Sequence, residues 1–96
     1  MEFEWDSKKA ERNLKVHGVN FEEAATLFYD PKGLDLPDEK HSASEVRYIR
    51  LGKSIFKRTL MAVYTQRGKA RKLVRLISAR RANRKERKIY EDQNIG

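Results

Sequence analysis

The sequence predicts an α+β domain: two N-terminal helices, an antiparallel sheet of about four strands and a C-terminal basic helix. Three observations lead there. Apolar residues recur at helical spacing, between capping residues, over the first third of the chain. From Leu34 onward the apolar period shortens to two. A crowd of cations then follows an arginine pair where the last alternating segment ends.

Phe3 and Trp5 alternate with Glu2 and Glu4, as in a short strand with one buried face. Asp6 is an N-cap for a helix over Ser7 to His17, with Ala10, Leu14 and His17 on its inner face and Gly18 at the left-handed position that ends it. Asn20-Phe21-Glu22-Glu23 has the Asn-x-x-Glu form of a capping box, with Val19 placed to staple onto Ala24, so a second helix runs from Phe21 to Phe28. Asp30-Pro31-Lys32-Gly33 stops it. Leu34 and Leu36 form an edge strand, because Pro37 cannot donate to a ladder. A polar connection from Asp38 to Ser44 leads to strands over Val46 to Leu51, Ile55 to Thr65 and Arg71 to Ala79, with a hairpin turn at Gln66-Arg67-Gly68-Lys69. Turns this short make these strands antiparallel. Helices are expected on one face of the sheet. Asn83-Arg84-Lys85-Glu86 is a second capping box and starts the last helix, whose tail, Gln93 to Gly96, is expected to fray.

Ninety-six residues, 39% hydrophobic and 38% charged, make one domain with a small core. No window approaches the roughly 18–20 continuous apolar residues of a membrane span. The acidic N-terminus lacks the apolar stretch of a secretory signal, and there is no Cys for disulfides or thiolate metal sites, so cytoplasmic residence is the expectation. His17 and His41 fall in different elements, which argues against a metal site, and the isolated glycines form no phosphate loop; no cofactor is expected.

Charge is segregated. Residues 1–45 carry six Lys/Arg against eleven Asp/Glu, a net −5; residues 46–96 carry sixteen against three, a net +13. Arg84, Lys85, Arg87 and Lys88 crowd the first turns of the last helix, where the helix dipole disfavours cations by roughly 0.3–1 kcal/mol each at low salt. A helix shaped only for stability would place acids there. A polyanion, above all nucleic acid, explains the opposite choice; a solvated basic face without a ligand is the plain alternative.

These residues also form a pattern. Glu4-Trp5-Asp6, Lys9-Ala10, Asn13, His17-Gly18-Val19 and Phe21-Glu22-Glu23-Ala24 are followed by Phe28-Tyr29-Asp30-Pro31, His41-Ser42, Glu45 and Arg47. Ile77-Ser78-Ala79-Arg80, Glu86-Arg87 and Tyr90 complete it. In this order they resemble the BrnT toxin family across nearly the whole chain, departing at Ser7, where many members have Pro, and at Val16, where Lys often precedes the His-Gly. The resemblance implies a RelE-like fold, ribonuclease activity that inhibits translation, and a cognate BrnA-like antitoxin with a ribbon-helix-helix DNA-binding domain. A two-toxin, two-antitoxin complex that represses its own operon at operator DNA is implied with it.

Cleaving RNA through its 2′-hydroxyl requires a base, cations for the phosphorane and an acid for the leaving oxygen. Arg80 and Arg81, at a strand end, are placed to grip phosphate, with Arg58 and Arg75 on neighbouring strands and Arg84 and Lys85 on the helix extending an RNA-binding surface. Glu86 is a candidate base, and His41 and Tyr90 are candidates to donate or take a proton. The resemblance favours Arg80, Glu86 and Arg87 as catalytic. Structural roles explain several of these equally well: Glu86 as the N3 residue of a capping box, Arg87 as a solvated cation, Tyr90 as packing on the last helix. Three function classes therefore stay open at this level: an endoribonuclease toxin, a non-catalytic basic RNA- or DNA-binding module, and a subunit whose basic face docks an acidic protein.

Overall fold

The structure, a computed structural model, describes residues 1–41 and 43–93; Ser42 and the tail 94–96, where fraying is expected, lie outside the described residues. In chain order the elements are β1 (Glu2–Glu4), α1 (Ser7–His17), α2 (Phe21–Ala25), β2 (Leu34–Pro37), β3 (Tyr48–Lys53), β4 (Thr59–Arg67), β5 (Leu73–Arg81) and α3 (Arg84–Gln93). The α+β class holds, but among the described residues the sheet has five strands and is mixed. Its order is β1-β5-β4-β3-β2, with β1 parallel to β5 and every other pairing antiparallel. Short turns dictate direction only for consecutive strands. Nearly the whole domain separates β1 from β5, so β1 is free to return alongside it in parallel.

The helices also occupy both faces of the sheet, not one. Val19, Phe21, Ala24 and Leu27 pack on Leu60, Ala62, Tyr64, Val74, Leu76 and Ala79. Leu51 and Met61, on the opposite face, are covered by Tyr90 of α3 with Ile89 beside it. The central strands carry apolar residues on both faces, so each face needs a cover.

The caps form largely as the sequence indicates. Asp6 accepts from Lys8 and Lys9 N–H, and Gly18 ends α1 at φ 68°. Asn20 accepts from Glu23 N–H at 2.7 Å, but the Glu23 side chain turns inward instead of closing the box. α2 is shorter than expected, passing into a 3-10 turn over Thr26–Tyr29. The inward residue of α1 is Asn13, not Leu14, which is half exposed; His17 is exposed as well. Asn13 donates to the carbonyls of Val19 and Ala79 and accepts from Ala79 N–H. β1 pairs only with the first residues of β5, and Asn13 satisfies the backbone that β1 leaves uncovered.

Three strand starts shift. β3 and β5 each begin two residues later than their alternation suggests, and β4 begins only at Thr59 because Ser54 to Arg58 form a tight turn. Ser54 N–H donates to the Arg58 carbonyl and Lys57, at φ 63°, donates to the Ser54 carbonyl. Ile55 and Phe56 have strand-forming side chains, yet they sit in this turn. The β4–β5 connection is likewise longer than a two-residue turn, with Ala70 and Arg71 both at positive φ.

Candidate active groove

The site is built on an irregularity in β5. Val63 pairs with Ser78 but its neighbour Tyr64 pairs with Leu76, so Ile77 is an extra residue, a β-bulge. Strict alternation from Val74 and Leu76 would carry Ser78 and Arg80 into the helix-covered core. The bulge reverses that. It returns Ala79 to the core beside Asn13 and turns Ser78 and Arg80 onto the face that α3 shares.

There Arg80 meets Glu86, in the first turn of α3. Its two terminal nitrogens donate to the two Glu86 oxygens at 2.8 and 2.9 Å, a fork-to-fork pair. Glu86 also closes the second capping box: it accepts from Asn83 N–H at 2.9 Å while Asn83 accepts from Glu86 N–H at 2.8 Å. Burial alone would raise the Glu86 pKa, but the Arg80 guanidinium and the Asn83 N–H outweigh it and hold the carboxyl below its ordinary value. Cap and ion pair are therefore one structure, and Glu86 is ionised at neutral pH.

Arg80 and Glu86 line a groove of about 370 Å³ whose other polar walls are Asp38, His41, Arg47 and Ser78, over a floor of Ile49, Met61, Val63 and Ile77. His41 Nδ1 lies 3.1 Å from both oxygens of Asp38. An ionised carboxylate only accepts, so this contact places the proton on Nδ1 and leaves Nε2 as the ring atom available to a ligand. The groove thus joins an oriented imidazole, two guanidinium groups and a carboxylate that steadies one of them. That combination can bind a phosphodiester, remove a proton beside it and neutralise added negative charge.

The other residues singled out from the sequence are elsewhere. Tyr90 is buried, and its hydroxyl donates to Asp30 at 2.6 Å; burial and that carboxylate push its pKa up to about 12. Arg58 pairs with buried Glu23 and donates to the Gly18 carbonyl. Arg75 pairs with Glu4 at 2.8 Å. Arg81 is exposed beyond the bulge, and Arg84 and Arg87 border a shallow hollow along α3 with Lys88, Glu91 and Asp92; Lys85 is exposed. Asp38 was not anticipated as a site residue, and Arg47 and Ser78 entered only through the family pattern. The Asp38-x-x-His41 spacing was the available signal, since two residues three apart meet when a polar connection coils, as this one does over Glu39–His41. Among the described residues, no group of three or more His, Asp or Glu side chains is placed to hold a metal ion, and no helix is long and apolar enough to cross a membrane.

A family model described as "Ribonuclease toxin, BrnT, of type II toxin-antitoxin system" matches residues 5–86. The crystal structure of the Brucella abortus ribonuclease toxin BrnT superimposes with a TM-score of 0.67 at 19% identity, over 88% of this chain and 99% of that one, a likeness of fold. A search of curated proteins found no match.

Proposed function

The chain belongs to the BrnT family of ribonuclease toxins of type II toxin-antitoxin systems, and on that footing we propose that it cleaves RNA without a metal ion, in the groove between β5, α3 and the Asp38–His41 turn. The observation that carries the reading is the meeting of the Asp38–His41 pair and the Arg80–Glu86 pair in one groove. His41 Nε2 takes the proton of the 2′-hydroxyl as that oxygen bonds to phosphorus. Arg80 and Arg47 neutralise the phosphorane, the bond to the 5′-oxygen breaks, and the leaving oxygen takes a proton from water in this open groove. The products are a 2′,3′-cyclic phosphate and a 5′-hydroxyl. Glu86 keeps Arg80 in place rather than taking the proton, because a carboxylate with a lowered pKa is a weak base. Arg84, Lys85 and Arg87 extend the phosphate contacts along α3.

Cleavage of messenger RNA would inhibit translation. The antitoxin in this reading is a BrnA-like ribbon-helix-helix protein that forms a 2:2 complex with the toxin and carries it to operator DNA. Arg50, Arg58, Arg67 and Arg75 of the basic half pair with carboxylates of the acidic half, so the exposed cations along α3 are the surface for the antitoxin's acidic segments.

Purified protein is expected to shorten RNA in excess chelator, to leave DNA whole, and to spare an RNA carrying 2′-deoxy sugars. Activity lost to chelator and restored by magnesium overturns the mechanism. Retardation of RNA without shortening, in a folded sample, favours a binding module instead.

A further inference from the structure

The turn between β3 and β4 is rigidly supported and exposes large apolar side chains. Ile55 and Phe56 are each 69% exposed, and Tyr29 beside them is 67% exposed. Beneath them lies a buried polar network. Ser54 Oγ donates to Glu23 at 2.7 Å and accepts from Phe56 and Arg58 N–H; Arg58 forms its ion pair with the same carboxylate; Thr26 Oγ1 accepts from Ile55 N–H at 3.0 Å. Lys57 adopts φ 63°, which a residue with a Cβ adopts only at a cost. Glu23 is buried and Arg58 half-buried, and such a pair would be replaceable by apolar residues if only core stability were at stake. Their geometry instead fixes a turn whose most prominent side chains contribute little to the core.

Tyr29 and Ile55 border a largely apolar hollow of about 390 Å³, closed by Thr26, Asp30, Lys53 and Ser54. Lys53 stands at its rim, and Lys57 is exposed on the same turn. We propose that this patch is a seat for the antitoxin, which buries an apolar side chain in the hollow, packs against Phe56 and answers Lys53 and Lys57 with carboxylates. The assignment rests on the chain being a toxin neutralised by a protein partner. Asp30, the one carboxylate of the lining, is already engaged by the Tyr90 hydroxyl and Lys53 N–H, so the side chains of Lys53 and Lys57 set the sign of the charge offered to a partner, and pre-organised apolar residues beside them favour an acidic, amphipathic protein segment.

The position of the hollow gives such a segment a route to the active groove. Asp30, in the hollow wall, accepts the Tyr90 hydroxyl, and Tyr90 lies one helical turn, about 6 Å along the axis, from Glu86. A segment anchored at Tyr29 and Ile55 and running back along α3 passes its exposed cations and arrives at Arg80. Affinity then comes from the anchor, and inhibition from the part of the segment that reaches the groove.

The test is the double substitution Ile55→Ser with Phe56→Ser in the full chain, with the antitoxin co-expressed from the same operon and purified as the probe. Neither side chain contributes to the core, and the backbone bonds to Thr26 and Ser54 remain, so wild-type melting and wild-type RNA cleavage are expected. Antitoxin binding should weaken on the order of 100-fold, with matching loss of protection against cleavage. Lys53→Glu with Lys57→Glu should also weaken binding and flatten its salt dependence. Unchanged antitoxin affinity in the Ser variant overturns the proposal. So does loss of a toxin self-dimer at unchanged antitoxin affinity, which would make the occupant a second copy of this chain. Wild-type protein that neither cleaves RNA nor binds the antitoxin would overturn the toxin reading itself, and that arm is read before any variant.

Discussion

Glu86→Gln separates three roles for one carboxylate: cap, support for Arg80, and base. The amide keeps an oxygen for Asn83 N–H, so the cap survives. It cannot present two acceptors to Arg80, and its NH₂ group faces a donor where an oxygen stood at 2.8 or 2.9 Å. A charge-assisted hydrogen bond contributes about 1.5–3 kcal/mol when well shielded; Arg80 is 36% exposed, so the lower end applies. If that loss appears in the transition state, kcat falls roughly tenfold, since about 1.36 kcal/mol is tenfold. Melting temperature should fall by several degrees with the lost ion pair, since about 1 kcal/mol shifts a domain of this size by about 4–8 °C. A base role predicts a steeper loss, on the order of 10²–10⁴-fold, together with the disappearance of the carboxylate limb from the pH–rate profile. The assay is single-turnover cleavage of a labelled RNA from acid to mildly alkaline pH, with Asn83→Ala as a control that costs about 0.5–2 kcal/mol of stability and spares the chemistry. A loss beyond about 10³-fold with a vanished acidic limb would refute the support role and make Glu86 the base. Wild-type kinetics would leave it a cap alone.

His41→Ala should reduce cleavage on the order of 10²–10⁴-fold at unchanged stability, and Asp38→Asn should reduce it less; rapid cleavage by the His41 variant would remove the imidazole from the mechanism. Tyr90→Phe should cost about 0.5–1.5 kcal/mol in urea unfolding and leave cleavage within a few-fold of wild type, because its hydroxyl serves Asp30. Asn13→Ala should destabilise by about 1–3 kcal/mol for each backbone group of Ala79 left unpaired; a change within about 0.5 kcal/mol would mean water replaces the amide. Glu23 is held below its ordinary value of 4.5, chiefly by Arg58 and then by Ser54 against the penalty of burial. A lowered folded pKa contributes stability that is full above the unfolded value and is lost as pH falls through the folded one. Wild-type Tm should therefore drop more than that of Glu23→Gln as pH falls below about 4.5, and parallel curves would show that the pair does not carry the acid sensitivity.

What could be read from the sequence was what neighbours along the chain decide. α1 runs over the expected residues because Asp6, the apolar spacing and Gly18 all act within one or two turns. The box at Asn83 closes fully for the same reason. The errors arose where a distant residue competes. Glu23 was expected to cap α2, but Arg58, far along the chain on the β3–β4 turn, draws its carboxylate inward. Leu14 was expected to face the core, but the backbone of Ala79 needed a polar partner there, and Asn13 supplies it. Neither local propensity nor periodicity carries that information, since the need is created only when β5 arrives with part of its edge uncovered.

The groove was partly legible in the same sense. Arg80, Glu86 and His41 could be named because an arginine at a strand end, an acid in a basic helix and a lone imidazole in a polar connection are uncommon local choices. Their meeting could not be read, because it depends on the parity of β5. With unbroken alternation Arg80 would share a face with Leu76, beneath α1 and α2, where a guanidinium has no place. The bulge at Ile77 changes the parity once and thereby solves two problems: Ala79, which is small, fits under Asn13, and Arg80 reaches Glu86. Deletions in this strand test that account, because faces depend on whether an odd or an even number of residues is removed. Deleting Ile77 alone leaves Leu76 and Ser78 as neighbours on opposite faces. The ladder becomes regular, Ala79 stays inward, and Arg80 still faces Glu86. That variant should fold and keep measurable cleavage, reduced by the lost apolar floor and by the straightened strand. Deleting Ile77 and Ser78 together turns Ala79 outward and drives Arg80 into the core. That shorter strand should unfold the protein, or slip and leave the groove without its arginine. Ile77→Val keeps the backbone count and should cost no more than about 0.5–1.5 kcal/mol, with cleavage intact. An unfolded single-deletion variant beside a folded, active double-deletion variant would show that parity does not place Arg80.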